Sequence, residues 1–504
     1  MDCTRRFPRR SSSSRTERLP RIVVVGAGFS GHTAAKGLLR RLRGRARITV
    51  IDQQDHFLYL PLLPEVAVGT LEPRRIAVPL ADSLRGADIR LGSVDQIDID
   101  ERSIAWVDPD GGRGQVQYDR LVLAAGSTHK LLPIPGVAEY AHGFRSLPEA
   151  IYLRDHLVRQ VELASASMDP AEQRARLTFV TVGAGYTGTE VAAQGATLTS
   201  LLAESRPTLR NIPVRWLLLD LAPRVLPELD QALSRTATRV LRQRGVEIHT
   251  EQSLTEAMPG KVRLSTGEEV AAHTLIWCVG VRPDPLVAEL GLPTDKGRLI
   301  VGPDLGVPGH PEIIACGDAA AVPDHTRGGA PTAMTAQHAT RQGRLAARNI
   351  AASFGYGRSS TYRHHDLGFV VELGGADAAA NPLGVPLSGF PAAIITRSYH
   401  LLSMPGNRLR VATDWVLDAT VGRQATQFGI VRGEHVPLEA TRPAPPNENA
   451  DPVTNPAQPS KRSIRRCDSS SHETPRKPDS SGPVEGVPRL RFLRGRRAVQ
   501  AGRP

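Results

Sequence analysis

Two stretches of the chain share one pattern of apolar and small positions. Ile22-Val23-Val24-Val25 opens into Gly26-Ala27-Gly28-Phe29-Ser30-Gly31, and Phe179-Val180-Thr181-Val182 opens into Gly183-Ala184-Gly185-Tyr186-Thr187-Gly188. Short apolar runs without polar alternation predict strands buried on both faces of a parallel sheet, and the small-residue stretches after them predict helices. Each unit then has a second apolar run ending on an acid, Ile48 to Asp52 and Trp216 to Asp220. Three later runs end in small-residue turns: Leu121-Val122-Leu123 before Ala124-Ala125-Gly126, Leu275-Ile276-Trp277 before Gly280, and Ile313-Ile314-Ala315 before Gly317-Asp318. Strands alternating with helices predict an α/β fold of two doubly wound units.

The glycine spacing carries chemistry. In G-x-G-x-x-G the first glycine makes the tight turn, the second lets backbone approach a pyrophosphate, and the third lets helix pack on strand. The helix N-terminus then faces the phosphates with unpaired N–H groups. One such loop is weak evidence; two, each completed by a downstream acid, predict two dinucleotides held face to face. A carboxylate at the end of the second strand accepts hydrogen bonds from a ribose 2′-OH and repels a 2′-phosphate. Asp220 therefore favours NADH over NADPH, with Arg224 nearby moderating the preference. Both acids also fit a plainer role as strand caps.

Charge alters the picture only at the ends. Of the net charge of +12 over 504 residues, +5 lies in residues 1–21 and +6 in residues 431–504. The nearly neutral middle is not a nucleic-acid-binding face. The Arg/Ser-rich start and the Pro/Ser/Arg-rich end read as disordered basic tails, and Leu490 to Arg497 fits either an anionic lipid surface or a solvated tail. No apolar stretch reaches the roughly 18 residues of a membrane span. The start has no signal-peptide apolar region, and the expected location is the cytoplasm. Cys3, Cys278, Cys316 and Cys467 are far apart in sequence. Neither dithiol chemistry nor a metal site is expected; Cys278 and Cys316 read as small buried hydrophobes.

With these segments in order, the chain resembles the FAD-dependent pyridine nucleotide oxidoreductases. Asp55 to Thr70 resembles the stretch after the second strand in type II NADH dehydrogenases, and Thr335 to Gly343 resembles their A-Q-x-A-x-Q motif, with Arg341 where the last glutamine belongs and Gln342 after it. The resemblance covers about residues 21–430. It implies FAD on Gly26, Gly28, Phe29, Ser30, Gly31, Asp52, Gln53, Ala125, Gly126, Asp318, Ala336 and Gln337. NADH would lie on Gly183, Gly185, Gly188, Glu190, Asp220 and Gly280. Asp318 would bond the flavin ribityl chain, or serve as an ordinary N-cap. Glu190 and Gln337 are the candidate catalytic residues: Glu190 beside the nicotinamide or relaying a proton, Gln337 between flavin and acceptor. A solvated first-turn glutamate and a packing glutamine are the plainer alternatives. The implied reaction passes hydride from NADH to FAD and electrons onward to a quinone.

The expected organisation is a disordered start (1–20), an FAD unit in two parts (21–145 and 281–355), an inserted NAD unit (146–280), a C-terminal α+β and amphipathic region (356–432) and a disordered tail (433–504). Phe390 to Leu402 and Leu409 to Ile430 are apolar with interspersed arginines, and Val411, Trp415, Leu417 and Val421 keep roughly helical spacing. Such a helix lies in a bilayer interface or packs on the protein's own core; spacing alone does not choose. The resemblance favours the membrane, as a peripheral enzyme on the inner face of the cell membrane, with a homodimer compatible with this plan. Two other readings stay open: a soluble NAD(P)H-dependent reductase with a protein or small-molecule acceptor, and a redox-sensing protein that signals through its tails.

Overall fold

The structure, a computed structural model, describes residues 18–438 other than 422 and 424. Most of both expected tails, with Cys3, Cys467 and Leu490 to Arg497, lies outside the described residues. The first sheet has six strands in the order Gly306–Val307, His310–Ala315, Arg120–Leu123, Arg21–Val25, Arg47–Asp52 and Asp88–Leu91. Only the short edge strand Gly306–Val307 runs antiparallel. The second sheet is parallel throughout, in the order His142–Gly143, Thr274–Trp277, Thr178–Val182, Arg215–Asp220 and Val246–Thr250. Register places Val24 against both Val50 and Val122, and Val180 against both Leu217 and Leu275. All six of these side chains are buried, which is why the runs carry no polar alternation.

His310–Ala315 belongs to the first sheet but follows the whole second sheet in sequence, so the second unit is inserted into the first. The chain crosses out and back through Ser127–His129 and Val281–Pro283, which pair antiparallel. The first fingerprint helix, Phe29–Leu42, lies against the helix Ala336–Ser353. Two glycines permit the approach: a Cβ on Gly37 would stand 2.6 Å from Ala347 Cβ, and one on Gly343 would stand 2.2 Å from Ser30 O.

The C-terminal region is α+β: strands Val370–Gly374, Asp377–Ala380 and Leu387–Ser388, then helices Gly389–Ser403 and Arg408–Thr420. Here the expected stripe divides. Val411 and Trp415 are buried against the core, whereas Leu417 and Val421 are 51% and 75% exposed. Leu417 lies six residues beyond Val411, about 240° around the helix, and the helix stops at Thr420. The outward face instead carries Leu409, Val416 and Leu417, and the preceding helix exposes Phe390, Ile394 and Leu402. Among the described residues no helix is long and apolar enough to cross a membrane.

Candidate active site

The two glycine loops are built alike. Gly26 and Gly183 have φ of +89° and +103°, where any Cβ would also stand 2.3 Å from Ala124 O and Cys278 O respectively. A Cβ on Gly31 would meet Gly26 O at 1.8 Å, and one on Gly188 would meet Gly183 O at the same distance. Gly28 and Gly185, by contrast, have open space above them and cap their helices without a side-chain hydrogen bond. Their first-turn N–H groups are thus free for phosphates, and the residues present fit a dinucleotide on each loop. Both acids brace their own loop: Asp52 accepts from Ala27 N at 2.5 Å and Gln54 N at 2.7 Å, and Asp220 accepts from Ala184 N at 2.5 Å and Ala222 N at 2.7 Å. Burial raises the Asp52 carboxyl above its ordinary range against the pull of these amides.

The first loop is closed by the returning chain. Gly317–Ala319 is a single 3₁₀ turn, and the Asp318 carboxylate accepts from Ser127 Oγ at 2.6 Å rather than capping a helix. Ser127 Oγ also receives a bond from Arg145 at 3.1 Å, which puts a guanidinium beside this carboxylate. Neither Ser127 nor Arg145 stood out in the sequence. Gln342 is buried and accepts from Gly317 N at 2.7 Å while donating to Thr332 Oγ1 at 3.0 Å, so this second glutamine holds the turn. Phe29 packs edge-on to Phe57 with centroids 5.0 Å apart, and Gln53 Nε2 donates to Ser93 Oγ at 3.3 Å. Gly126 and Gly280 adopt positive φ at the two crossovers, after Ala125 and Val279.

Glu190 and Gln337 come from different units yet bond to one short segment. Gln337 Nε2 donates to Gly368 O at 2.8 Å, and Glu190 Oε1 accepts from Glu372 N at 3.0 Å. Tyr186, beside Gly185, stacks on Phe369 of the same segment with centroids 6.0 Å apart. Gln337 Oε1 and the Tyr186 hydroxyl are buried without a partner, which leaves polar groups for a bound ring system. Glu190 is half-buried and lies past the first turn of its helix, and burial, with Glu372 and Glu65 nearby, raises its carboxyl well above the ordinary range. Arg341 donates to His364 Nδ1 at 2.8 Å, and His364 stacks on His338 at 4.1 Å. Burial lowers His338 to about 4, and burial with the Arg341 guanidinium lowers His364 below its ordinary value.

Cys278 and Cys316 are free thiols, each pushed up to about 12 by burial. Among the described residues no group of His, Cys, Asp and Glu is arranged to hold a metal ion.

Known proteins align with this layout. The sequence profile of the pyridine nucleotide-disulphide oxidoreductases matches residues 20–343. The chain belongs to this family. It is 31% identical to the type II NADH:quinone oxidoreductase Ndh of Mycobacterium tuberculosis over 84% of this chain and 92% of that one. It is also 31% identical to the demethylphylloquinone reductase NdbB of Synechocystis, over 80% of this chain and 96% of that one. The fold matches the structure of NDH2 from Plasmodium falciparum in complex with NADH, with a TM-score of 0.75 at 16% identity, covering 81% of this chain and all of that one. Despite the family's name, the two described cysteines are free and unpaired, Cys316 buried and Cys278 half-buried.

Proposed function

We propose that this protein is an NADH:quinone oxidoreductase that takes hydride from NADH onto a resident FAD and delivers two electrons to a quinone. The observation that carries the reading is that Glu190, two residues past the second fingerprint, and Gln337, at the start of the helix that closes the first, are fastened to the same five residues, 368–372. Two dinucleotides on the two loops would meet there, and FAD supplies the two-electron chemistry when bound. On this reading Gly26, Gly28 and Gly31 seat the FAD pyrophosphate, and Asp318, held by Ser127, receives the ribityl chain. Gly183, Gly185 and Gly188 seat NADH, with Asp220 against its ribose. Glu190 holds a proton beside the reacting end, and Gln337 orients the acceptor side.

The exposed Leu409, Val416 and Leu417, with Phe390, Ile394 and Leu402 on the adjoining helix, form the surface that rests on the membrane from which a quinone enters. Purified protein should be yellow, and NADH oxidation should be fast with a short-chain quinone and far slower with NADPH. Flavin that NADH reduces but quinone does not reoxidise would overturn the acceptor assignment. Replacing Leu409 and Val416 together with glutamate should abolish co-sedimentation with lipid vesicles at unchanged flavin content; retained sedimentation would overturn the membrane face.

A further inference from the structure

Behind the proposed site lies a polar cavity of about 30 Å³, room for one or two waters. The helix Tyr186–Glu204 points Glu190, Gln194 and Thr197 along one stripe, at spacing i, i+4 and i+7. Gln194 and Thr197 line the cavity, so the stripe runs from Glu190 to it. Two acids from distant parts of the chain line it as well: Glu65 on the short helix Leu63–Ala67 and Glu372 on the strand Val370–Gly374. They are 4% and 3% exposed, and Glu65 Oε1 and Glu372 Oε2 have no hydrogen-bond partner. Their other oxygens are occupied, Glu65 Oε2 by Trp415 Nε1 at 2.5 Å and Glu372 Oε1 by Arg397 at 3.5 Å. Asp418 and Arg423, paired at 2.8 Å and about one-fifth exposed, stand at the mouth.

Buried carboxylate oxygens without donors are costly, and a proton or a water removes the cost. Burial raises the Glu65 and Glu372 carboxyls above their ordinary range, each also raised by a neighbouring acid and lowered by Arg397. The reaction needs such a proton. NADH, a quinone and one proton from water give NAD⁺ and the quinol; the electron pair comes from NADH, and the second quinol O–H forms with the solvent proton.

We propose that Glu372 and Glu65 form a relay that carries this proton from the cavity water to Glu190, and that Glu190 passes it to the reduced acceptor. Glu372 is placed for the inner step, because its own backbone N–H holds Glu190 Oε1 at 3.0 Å. This inference rests on the function proposed above. The wild-type holoenzyme decides that part first: if short-chain quinone fails to reoxidise NADH-reduced flavin, the function falls.

The relay is tested in the full chain by Glu372→Gln, Glu65→Gln and Thr197→Leu, the last filling the cavity without touching an acid. Anaerobic rapid mixing separates reduction by NADH from reoxidation by quinone. Reoxidation should slow about tenfold or more in each variant, with a larger solvent deuterium isotope effect, while reduction by NADH stays within twofold. Glu372→Asp should recover much of the rate. Infrared spectra at neutral pH, which need no quinone, should show the protonated-carboxyl stretch of the wild type weakened in Glu372→Gln. Unchanged reoxidation and isotope effect in Glu372→Gln, Glu65→Gln and Thr197→Leu alike, or an infrared band untouched by Glu372→Gln, would overturn the relay.

Discussion

The loop after Val25 and the loop after Val182 have the same turn, the same forbidden Cβ positions and the same acid bracing the second residue, yet they open into different surroundings. The first is closed over: Ser30 and Gly31 are buried, Gly317 and Gly343 press on Ser30, and a second helix covers the first along its length. The second helix packs inward, where a Cβ on Gly195 would meet the Trp216 ring at 2.4 Å, and several separate elements rather than one long helix lie against it. One binding device thus serves two kinds of ligand. One continuous helical cover suits a resident cofactor, and a cover of separate elements suits a nucleotide that leaves in each cycle.

The strongest way to break this comparison is to damage the same glycine in each unit. Gly31→Ala and Gly188→Ala both force a methyl to within 1.8 Å of a carbonyl oxygen, an overpacking that costs at least about 1–3 kcal/mol. Gly31→Ala should yield protein without bound flavin, measured by visible absorbance. Gly188→Ala should stay yellow and lose NADH reduction by a hundredfold or more. Equal flavin loss in both would mean that the two loops share one ligand or one folding unit.

The acids sharpen it further. Each carboxylate has two backbone amides of its own loop, and removing a charged hydrogen-bond acceptor costs about 1.5–3 kcal/mol. Asp52→Ala should weaken flavin retention. Asp220→Ala should lower the NADH-to-NADPH preference by about ten- to a hundredfold, read as the ratio of kcat/KM values. A preference that survives in Asp220→Ala would assign discrimination to another group, with Arg224 the nearest candidate.

Much of this was legible in the sequence because its demands are local. A positive φ beside a carbonyl admits only glycine, and an acid at a strand end follows from fixed spacing. The insertion was legible from the order of apolar runs and turns. What escaped depends on contacts between distant segments. Glu65 sits in an apolar stretch that resemblance alone had singled out, and Glu372 interrupts the run Val370-Val371-Glu372-Leu373; only the fold brings them to one cavity. Gln342, not Arg341 at the motif's last position, bonds the Gly317 turn because it faces inward, fully buried, while Arg341 turns to His364. The C-terminal stripe was misdrawn because residues with similar hydropathy fell on opposite sides of a helix that ends at Thr420.

The smallest expected effect separates the units by pH. The residue after the third glycine is His32 in the first loop and Thr189 in the second, both buried. Thr189 is neutral and bonds Ala184 O at 3.3 Å. His32 lies against Phe57 and Ser83 Oγ, and burial, reinforced by Lys36, lowers it to about 4. The folded protein therefore refuses a proton that the unfolded chain accepts near 6.5, so stability falls as pH drops from about 6.5 to about 4 and this contribution is flat outside that window. His32→Thr, which copies the second loop, should be less stable than wild type at neutral pH through lost packing, and the gap in thermal midpoint should narrow as pH falls to about 4. Parallel midpoints across the whole range would mean that His32 accepts its proton in the folded state, and that the enclosure of the first loop is less complete than its glycine contacts require.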